Sequence, residues 1–240
     1  MIRSAALIAA LFAGAAQAET AIVSAAYAGP VTRYGHDVLG VGHEWGALDL
    51  TLNTCTECAS PSLRTVRFTL PDAMVFEDTE PRLVDLGGGS LPEILVVESQ
   101  MTQGSRLALY GPSGRSATSA FTGQRHRWIA PVGAADLDGD GQTEIVAVVM
   151  PHLAKLLRVW HLDGDRLVPV AEAAGLTNHH FGSPVIESAI INCGTSASVL
   201  TADADWTEVM STALVDGTLT SVPFRPYAGP KSFQNLPICN

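Results

Sequence analysis

Only four cysteines, 14 lysines and arginines, and 6% aromatic residues occur in this chain of 240 residues. Each scarcity excludes something. Against 24 aspartates and glutamates, the few basic residues leave a net charge of −10. Nucleic acid is therefore not an expected partner, because phosphate binding rests on clustered Lys and Arg. Apolar runs are short, and the longest, Ala5 to Ala16, falls below the ~20 residues that a membrane-spanning helix needs. No membrane span is expected. Helical periodicity is nearly absent, which argues against bundles and against alternating strand–helix units. Zinc ribbons are excluded as well, since no second CxxC and no suitably spaced histidine pair accompany the one CxxC.

What is present begins with an export signal. Met1-Ile2-Arg3 places one positive charge before the apolar run, and Ala16-Gln17-Ala18 supplies the small-x-small pattern of a cleavage site. Residues 1–18 read as a signal peptide and 19–240 as a single domain starting at Glu19, destined for the periplasm or the exterior. An oxidising compartment makes disulfides the default, and four cysteines allow three pairings. The preferred pairing is Cys55–Cys58 with Cys193–Cys239. A thiol oxidoreductase would need Cys55-Thr-Glu-Cys58 at a helix start, whereas here it sits in a polar loop before Thr65-Val-Arg-Phe-Thr-Leu70.

The rest of the chain reads as strands. Leu48–Leu52, Glu93–Val97, Arg106–Tyr110, Glu144–Val149 and Leu156–Leu162 are short apolar or alternating runs rich in β-branched residues. Gly, Pro, Asp and Ser punctuate them, and Asp163-Gly164 and Asp216-Gly217 are hairpin signals. The fold class is all-β. Leu83–Val97 also aligns without gaps on Ala134–Val148, matching Asp85 to Asp136 and Glu93 to Glu144 at a period of 51 residues. Equal steps land near Asp37 and Glu187, beside Val38-Leu39 and Val185-Ile186. The third unit divides into Pro131–Leu137, Glu144–Met150, Leu156–Leu162 and Arg166–Ala171. About four such antiparallel four-stranded units suggest a small β-propeller or a propeller-like ring. Tyr27-Ala-Gly-Pro30 recurs as Tyr227-Ala-Gly-Pro230, and in a ring these two segments would lie side by side.

One loop carries chemistry. In Asp136-Leu-Asp-Gly-Asp-Gly-Gln-Thr-Glu144, alternate positions aim Asp136, Asp138 and Asp140 at one centre. Gln142 offers a backbone carbonyl and Glu144 closes the set, an all-oxygen arrangement suited to Ca²⁺. An EF-hand would need an acid at the twelfth position, which is Ala147, and flanking helices. This nine-residue loop between strands resembles the calcium loops of FG-GAP or VCBS repeats, the blades of integrin-α-type propellers. The resemblance is strongest over Pro131 to Ala171 and covers about 40% of the chain well. It implies acids at loop positions one, three, five and nine, with Glu144 standing where Asp is commoner. It also implies an exported, non-catalytic binding or scaffold module whose protein or glycan ligand the sequence does not name. In the second unit Gly87 and Gly89 replace the middle acids, so no metal is expected there.

Other candidates are weaker. Gly87-Gly88-Gly89-Ser90 lacks the Lys and helix of a phosphate loop, and Gly111-Pro-Ser-Gly114 reads as a turn without nucleophile-elbow spacing. His179 and His180 would face opposite ways on a strand. Asp203, Asp205 and Trp206, with Glu187, furnish the alternative of a carbohydrate-active hydrolase or lyase. Arg125-His126-Arg127-Trp128 is the one basic patch and reads as a solvated turn.

Overall fold

A computed structural model describes residues 20–87, 91–192 and 194–236 of the chain. The expected signal peptide, its cleavage site, Cys193, Cys239 and Gly88–Ser90 lie outside the described residues. No helix among the described residues is long and apolar enough to cross a membrane. The only helical element there is a 3-10 turn at Pro230–Phe233. Everything else regular is strand, so the all-β expectation holds.

Strands β1 (Ala21–Val31), β2 (Glu44–Asn53) and β3 (Leu63–Thr69) form a first antiparallel unit, followed by the short β4 (Met74–Phe76). A second unit is the meander β5 (Arg82–Val84), β6 (Glu93–Gln100), β7 (Gly104–Gly111) and β8 (Gly114–Thr118). The third is β9 (Ile129–Ala135), β10 (Glu144–Val149), β11 (Leu156–Asp163) and β12 (Arg166–Ala174). After the two-residue β13 (Leu176–Thr177), the fourth comprises β14 (Ala189–Asn192), β15 (Ala197–Asp203), β16 (Glu208–Val215) and β17 (Thr218–Pro226). The expected turns are in place. Asp216 and Gly217 both take positive φ, 49° and 71°, between β16 and β17, the backbone that lets a two-residue hairpin follow the strand twist.

The continuous apolar runs of the central strands now have a cause. Along β6, Leu95 and Val97 pack toward the third unit with Ile145, Ala147 and Trp160, while Ile94 and Val96 pack toward the first with Leu48, Leu50 and Phe76. Along β10, Val146 and Val148 turn the other way and meet Val199 and Leu214 of the fourth unit. Successive side chains on a strand face opposite sides, so a strand apolar at every position is one buried on both faces. The four units thus stack face to face in chain order.

The stack departs from a closed ring of four separate blades. Among the described residues the first unit has no fourth strand of its own: β4 pairs with β2 at Trp45–Phe76 and continues on β6 through Met74–Gln100. Arg166 of β12 pairs with Thr118 of β8. These links merge twelve strands into one open, curled sheet beside a five-stranded one. The outer face of the fourth unit is covered by Phe233 and Leu236 of the C-terminal segment rather than by the first unit. Tyr27 accordingly packs with Trp45 and Phe76, and Tyr227 with Trp206 and Phe233, in separate clusters.

First and last units still touch through the backbone. Gly182 N–H donates to the Val38 carbonyl at 2.8 Å. Gly40 sits at φ 65°, and a Cβ there would lie 2.2 Å from the Gly182 carbonyl oxygen. Gly40→Ala therefore combines left-handed strain with a backbone clash and is expected to cost about 2 kcal/mol. A melting temperature unchanged from the parent would show that this junction bears no load.

Candidate functional site

The acidic loop lies where it was expected, joining β9 to β10 in the third unit. Asp136 organises it: Oδ1 accepts from Gly139 N–H at 2.7 Å and Oδ2 from Gly141 N–H at 2.9 Å. Gly139 and Gly141 take φ of 83° and 88°, which the curl of the loop requires. Glu144, only 4% exposed, accepts from Leu137 N–H at 2.8 Å. One carboxylate oxygen each from Asp136, Asp138 and Glu144 lie within 4.8 Å of one another. Burial, reinforced by the charges of Asp138, Asp140 and Asp136, pushes the Glu144 carboxyl up, against the pull of the Leu137 N–H. A cation at this point would relieve that repulsion.

Of the four candidate carboxylates, Asp140 stands apart. Asp140 Oδ1 accepts from Gln142 N–H at 2.7 Å and Oδ2 from the Gln142 side-chain amide at 3.0 Å. Its carboxylate is thus held by Gln142 and lies outside the converging triad. The donors that do converge are all oxygen, the set that suits a hard cation such as Ca²⁺ and disfavours softer metals.

Neighbouring units brace this loop from both sides. Gln142 forms an antiparallel bridge with Gly87, the equivalent loop of the second unit. Ala197 N–H, at the start of β15 where the equivalent loop of the fourth unit ends, donates to the Asp136 carbonyl at 2.9 Å. The acids kept by the second unit have protein partners: Asp85 accepts from Gly87 N–H and Glu93 from the Ser116 hydroxyl.

Comparison with protein-family models and with curated proteins found no match. The site must therefore be read from its own chemistry.

The other sequence candidates take structural positions. Cys55 and Cys58 are disulfide-bonded, Cα atoms 5.4 Å apart, in the hairpin loop between β2 and β3, and no helix follows them. Asp203 caps a turn, accepting from Thr207 N–H, Glu208 N–H and the Thr207 hydroxyl. Those bonds draw its pKa down despite burial. Glu187 is buried and accepts from Tyr227 O–H at 2.8 Å, and Trp206 stacks on His180 at 3.7 Å. Asp205 is exposed in the turn between β15 and β16.

Arg125–Trp128 begins as an exposed turn and ends buried, and its side chains lock onto neighbouring loops. Arg125 donates to the Tyr34 carbonyl at 2.6 Å, and Trp128 Nε1–H donates to the Glu77 carbonyl at 2.7 Å. Around it lies a cluster that no motif announced. His36 and His126 stack at 4.5 Å, and His36 Nδ1 meets buried Glu77 at 2.6 Å. His152 Nε2 lies 3.0 Å from His179 Nδ1, while His179 Nε2 lies 2.8 Å from the Ser183 carbonyl. A carbonyl only accepts, so His179 carries its proton on Nε2 and its Nδ1 accepts from His152. Burial pushes both imidazoles down to about 4. His36, His126, His152 and His179 come from loops far apart in sequence, and only His126 and His179 attracted notice there. His180, which like His179 lies outside the strands, packs on Trp206 and Tyr227 instead.

Proposed function

We propose that the chain is an exported, non-catalytic binding or scaffold module of the FG-GAP/VCBS type, with one Ca²⁺ in the loop Asp136–Glu144 stiffening a propeller-like stack of four units. The observation that carries this reading is the convergence of Asp136, Asp138 and Glu144 oxygens on a nine-residue inter-strand loop. Asp140 and the Gln142 carbonyl complete the set if Ca²⁺ recruits Asp140 from its bonds with Gln142. The resulting link would tie together three loops that already touch at Gly87, Gln142 and Ala197. The ligand is a protein or glycan. No comparable observation favours the carbohydrate-active alternative, because Asp203 and Glu187 are spent on a turn and on Tyr227.

The test is thermal melting in EGTA and then in Ca²⁺. Extracellular calcium modules bind at about 10⁻⁴–10⁻³ M. At ten times Kd the gain is about 1.4 kcal/mol, or roughly 3–6 °C for a domain of this size. Asp138→Ala should abolish that rise and leave the melting temperature in EGTA unchanged or slightly higher, because it relieves like-charge repulsion. No shift in millimolar Ca²⁺ reduces the loop to an Asp/Gly turn.

A further inference from the structure

The first strands of the units converge on a cleft that shares no residue with Asp136–Glu144. Its larger lobe, ≈ 370 Å³, is walled by Glu80 and Arg82 at the head of β5, by Val132 of β9, and by Val185 and Ser188 on the way into β14. Strand β9 packs beside both β5 and β14, so this lobe lies where the second, third and fourth units meet. A smaller lobe of ≈ 200 Å³ shares Thr79 and Pro184 with it and carries the cleft to the first unit, at Leu39, Val41 and Trp45. Open spaces of this order at a junction between units are where small ligands commonly sit.

The two lobes differ in chemistry. The smaller is mainly apolar, and Val41 stands 43% exposed on its wall. The larger is mainly polar. Glu80 is exposed there, and Arg82 reaches only its backbone carbonyl, at 3.0 Å, so the carboxylate has no partner among the described residues. Arg82 spends three of its five N–H groups, on Asp78, the Glu80 carbonyl and the Thr79 hydroxyl, and its side chain stays 16% exposed. Thr79 and Ser188 add hydroxyls. Val132 is the extra residue of a β-bulge between the pairs Val146–Gly133 and Ala147–Pro131, an interruption of the inner strand of the kind found beside binding sites.

Charge narrows the choice of guest. Asp78 neutralises Arg82, and Glu80 leaves one uncompensated negative charge at the cleft. An anion is therefore repelled, and a cation gains little from a single exposed carboxylate in open solvent. The walls instead suit a neutral molecule that both donates and accepts hydrogen bonds at its edges and has apolar faces. We propose that the cleft binds a neutral saccharide, with one ring in the larger lobe and the next along Val41 and Trp45 in the smaller. Hydroxyls of the first ring donate to the Glu80 carboxylate and accept from Arg82 and Ser188, while its C–H face meets Val132 and Val185. The inference rests on the binding-module reading and takes its glycan branch.

The experiment is a saturation-transfer NMR titration of the folded protein in Ca²⁺. The probes are methyl glucoside, methyl galactoside, methyl mannoside and N-acetylglucosamine with their matching disaccharides, and the controls are glycerol, sodium acetate and n-butylammonium chloride. At least one ring sugar should saturate near about 1–10 mM, and its disaccharide several-fold lower. Glu80→Ala should weaken binding about tenfold or more, because a hydrogen bond to a charged group is lost. Its melting temperature should match the parent's, since the side chain is exposed and Arg82 uses only the backbone carbonyl. Val185→Trp, at a position 45% exposed on the wall, should block the larger lobe. Val41→Asp should remove the gain of the disaccharide and leave the single ring unaffected. No saccharide saturating by about 50 mM overturns the proposal, as does equal saturation by glycerol or by either charged control. Indifference to both Glu80→Ala and Val185→Trp overturns it too. Melting in EGTA and in Ca²⁺ is followed on the same samples. A calcium response without sugar binding removes this site and leaves the module reading with protein as its ligand, whereas loss of both removes both.

Discussion

Replacing Arg82 by methionine is expected to lower the melting temperature by about 10 °C. Asp78 is wholly buried, and the Arg82 guanidinium, itself 16% exposed, meets it at 2.5 Å. Desolvation pushes the Asp78 carboxyl up, and the guanidinium is the main force holding it charged. Removing one partner of a buried ion pair costs about 3–5 kcal/mol, because the other charge is left without compensation. For a domain of this size each kcal/mol is worth roughly 2–4 °C. The double variant Asp78→Asn with Arg82→Met should recover much of the loss, since no buried charge remains. Melting of the two variants in parallel checks this. A loss in the double variant as large as in Arg82→Met would place the effect in the hydrocarbon packing of Arg82 instead. Acid offers a second check, because protonating Asp78 should narrow the gap between Arg82→Met and the parent.

That pair also shows where sequence reasoning stops. The strands were legible, because apolar residues at every position of Glu93–Val97 and Glu144–Val149 demand burial on both faces, and the turns announce themselves through Asp-Gly. Asp136–Glu144 was legible as a loop because its spacing is local. Closure was not. Whether four units form a ring depends on what covers the last face, and here Phe233 and Leu236 take that place. Nothing about Met74-Val75-Phe76 shows that it leaves the first unit to pair with β6. The engagement of Asp140 by Gln142 turns on side-chain rotation, which spacing does not fix. His36, Glu77, His152 and Arg82 were passed over for the same reason. His36, Glu77 and His152 acquire a role only through partners from other segments, and Arg82, four residues from Asp78, only through the burial that the fold imposes on that pair. The basic run Arg125–Trp128 was visible but misjudged, since charge alone does not reveal that Tyr34 and Glu77 supply its acceptors.

Acid should loosen the protein at the junction of its four units as the pH falls below about 6.5. His152 and His179 share one hydrogen bond, enclosed by Trp128 and Phe181, and burial holds both down to about 4. The unfolded chain titrates its histidines near 6.5. Between those values the unfolded state binds protons that the folded state refuses, so stability falls as pH drops from about 6.5 towards 4. His36, His180 and Lys155, the other cationic groups acting on His152, push in the same direction, as does the lowered pKa of His126. Glu77, Asp78 and Glu144 act oppositely, because their raised carboxyls take up protons first in the folded state and so offset part of the loss. His152→Gln leaves those carboxyls in place, so comparing it with the parent between about pH 7 and about pH 5 isolates the imidazole contribution. Allowing for solvent reaching His152, the loss there is on the order of 2–3 kcal/mol, or roughly 4–12 °C in melting temperature. His152→Gln keeps an N–H donor for His179 Nδ1 while removing one titrating ring, and should reduce the fall by about half. A variant that loses stability with acid as steeply as the parent would move the sensitivity to His126, and a parent that melts at the same temperature across the interval would remove it from the cluster altogether.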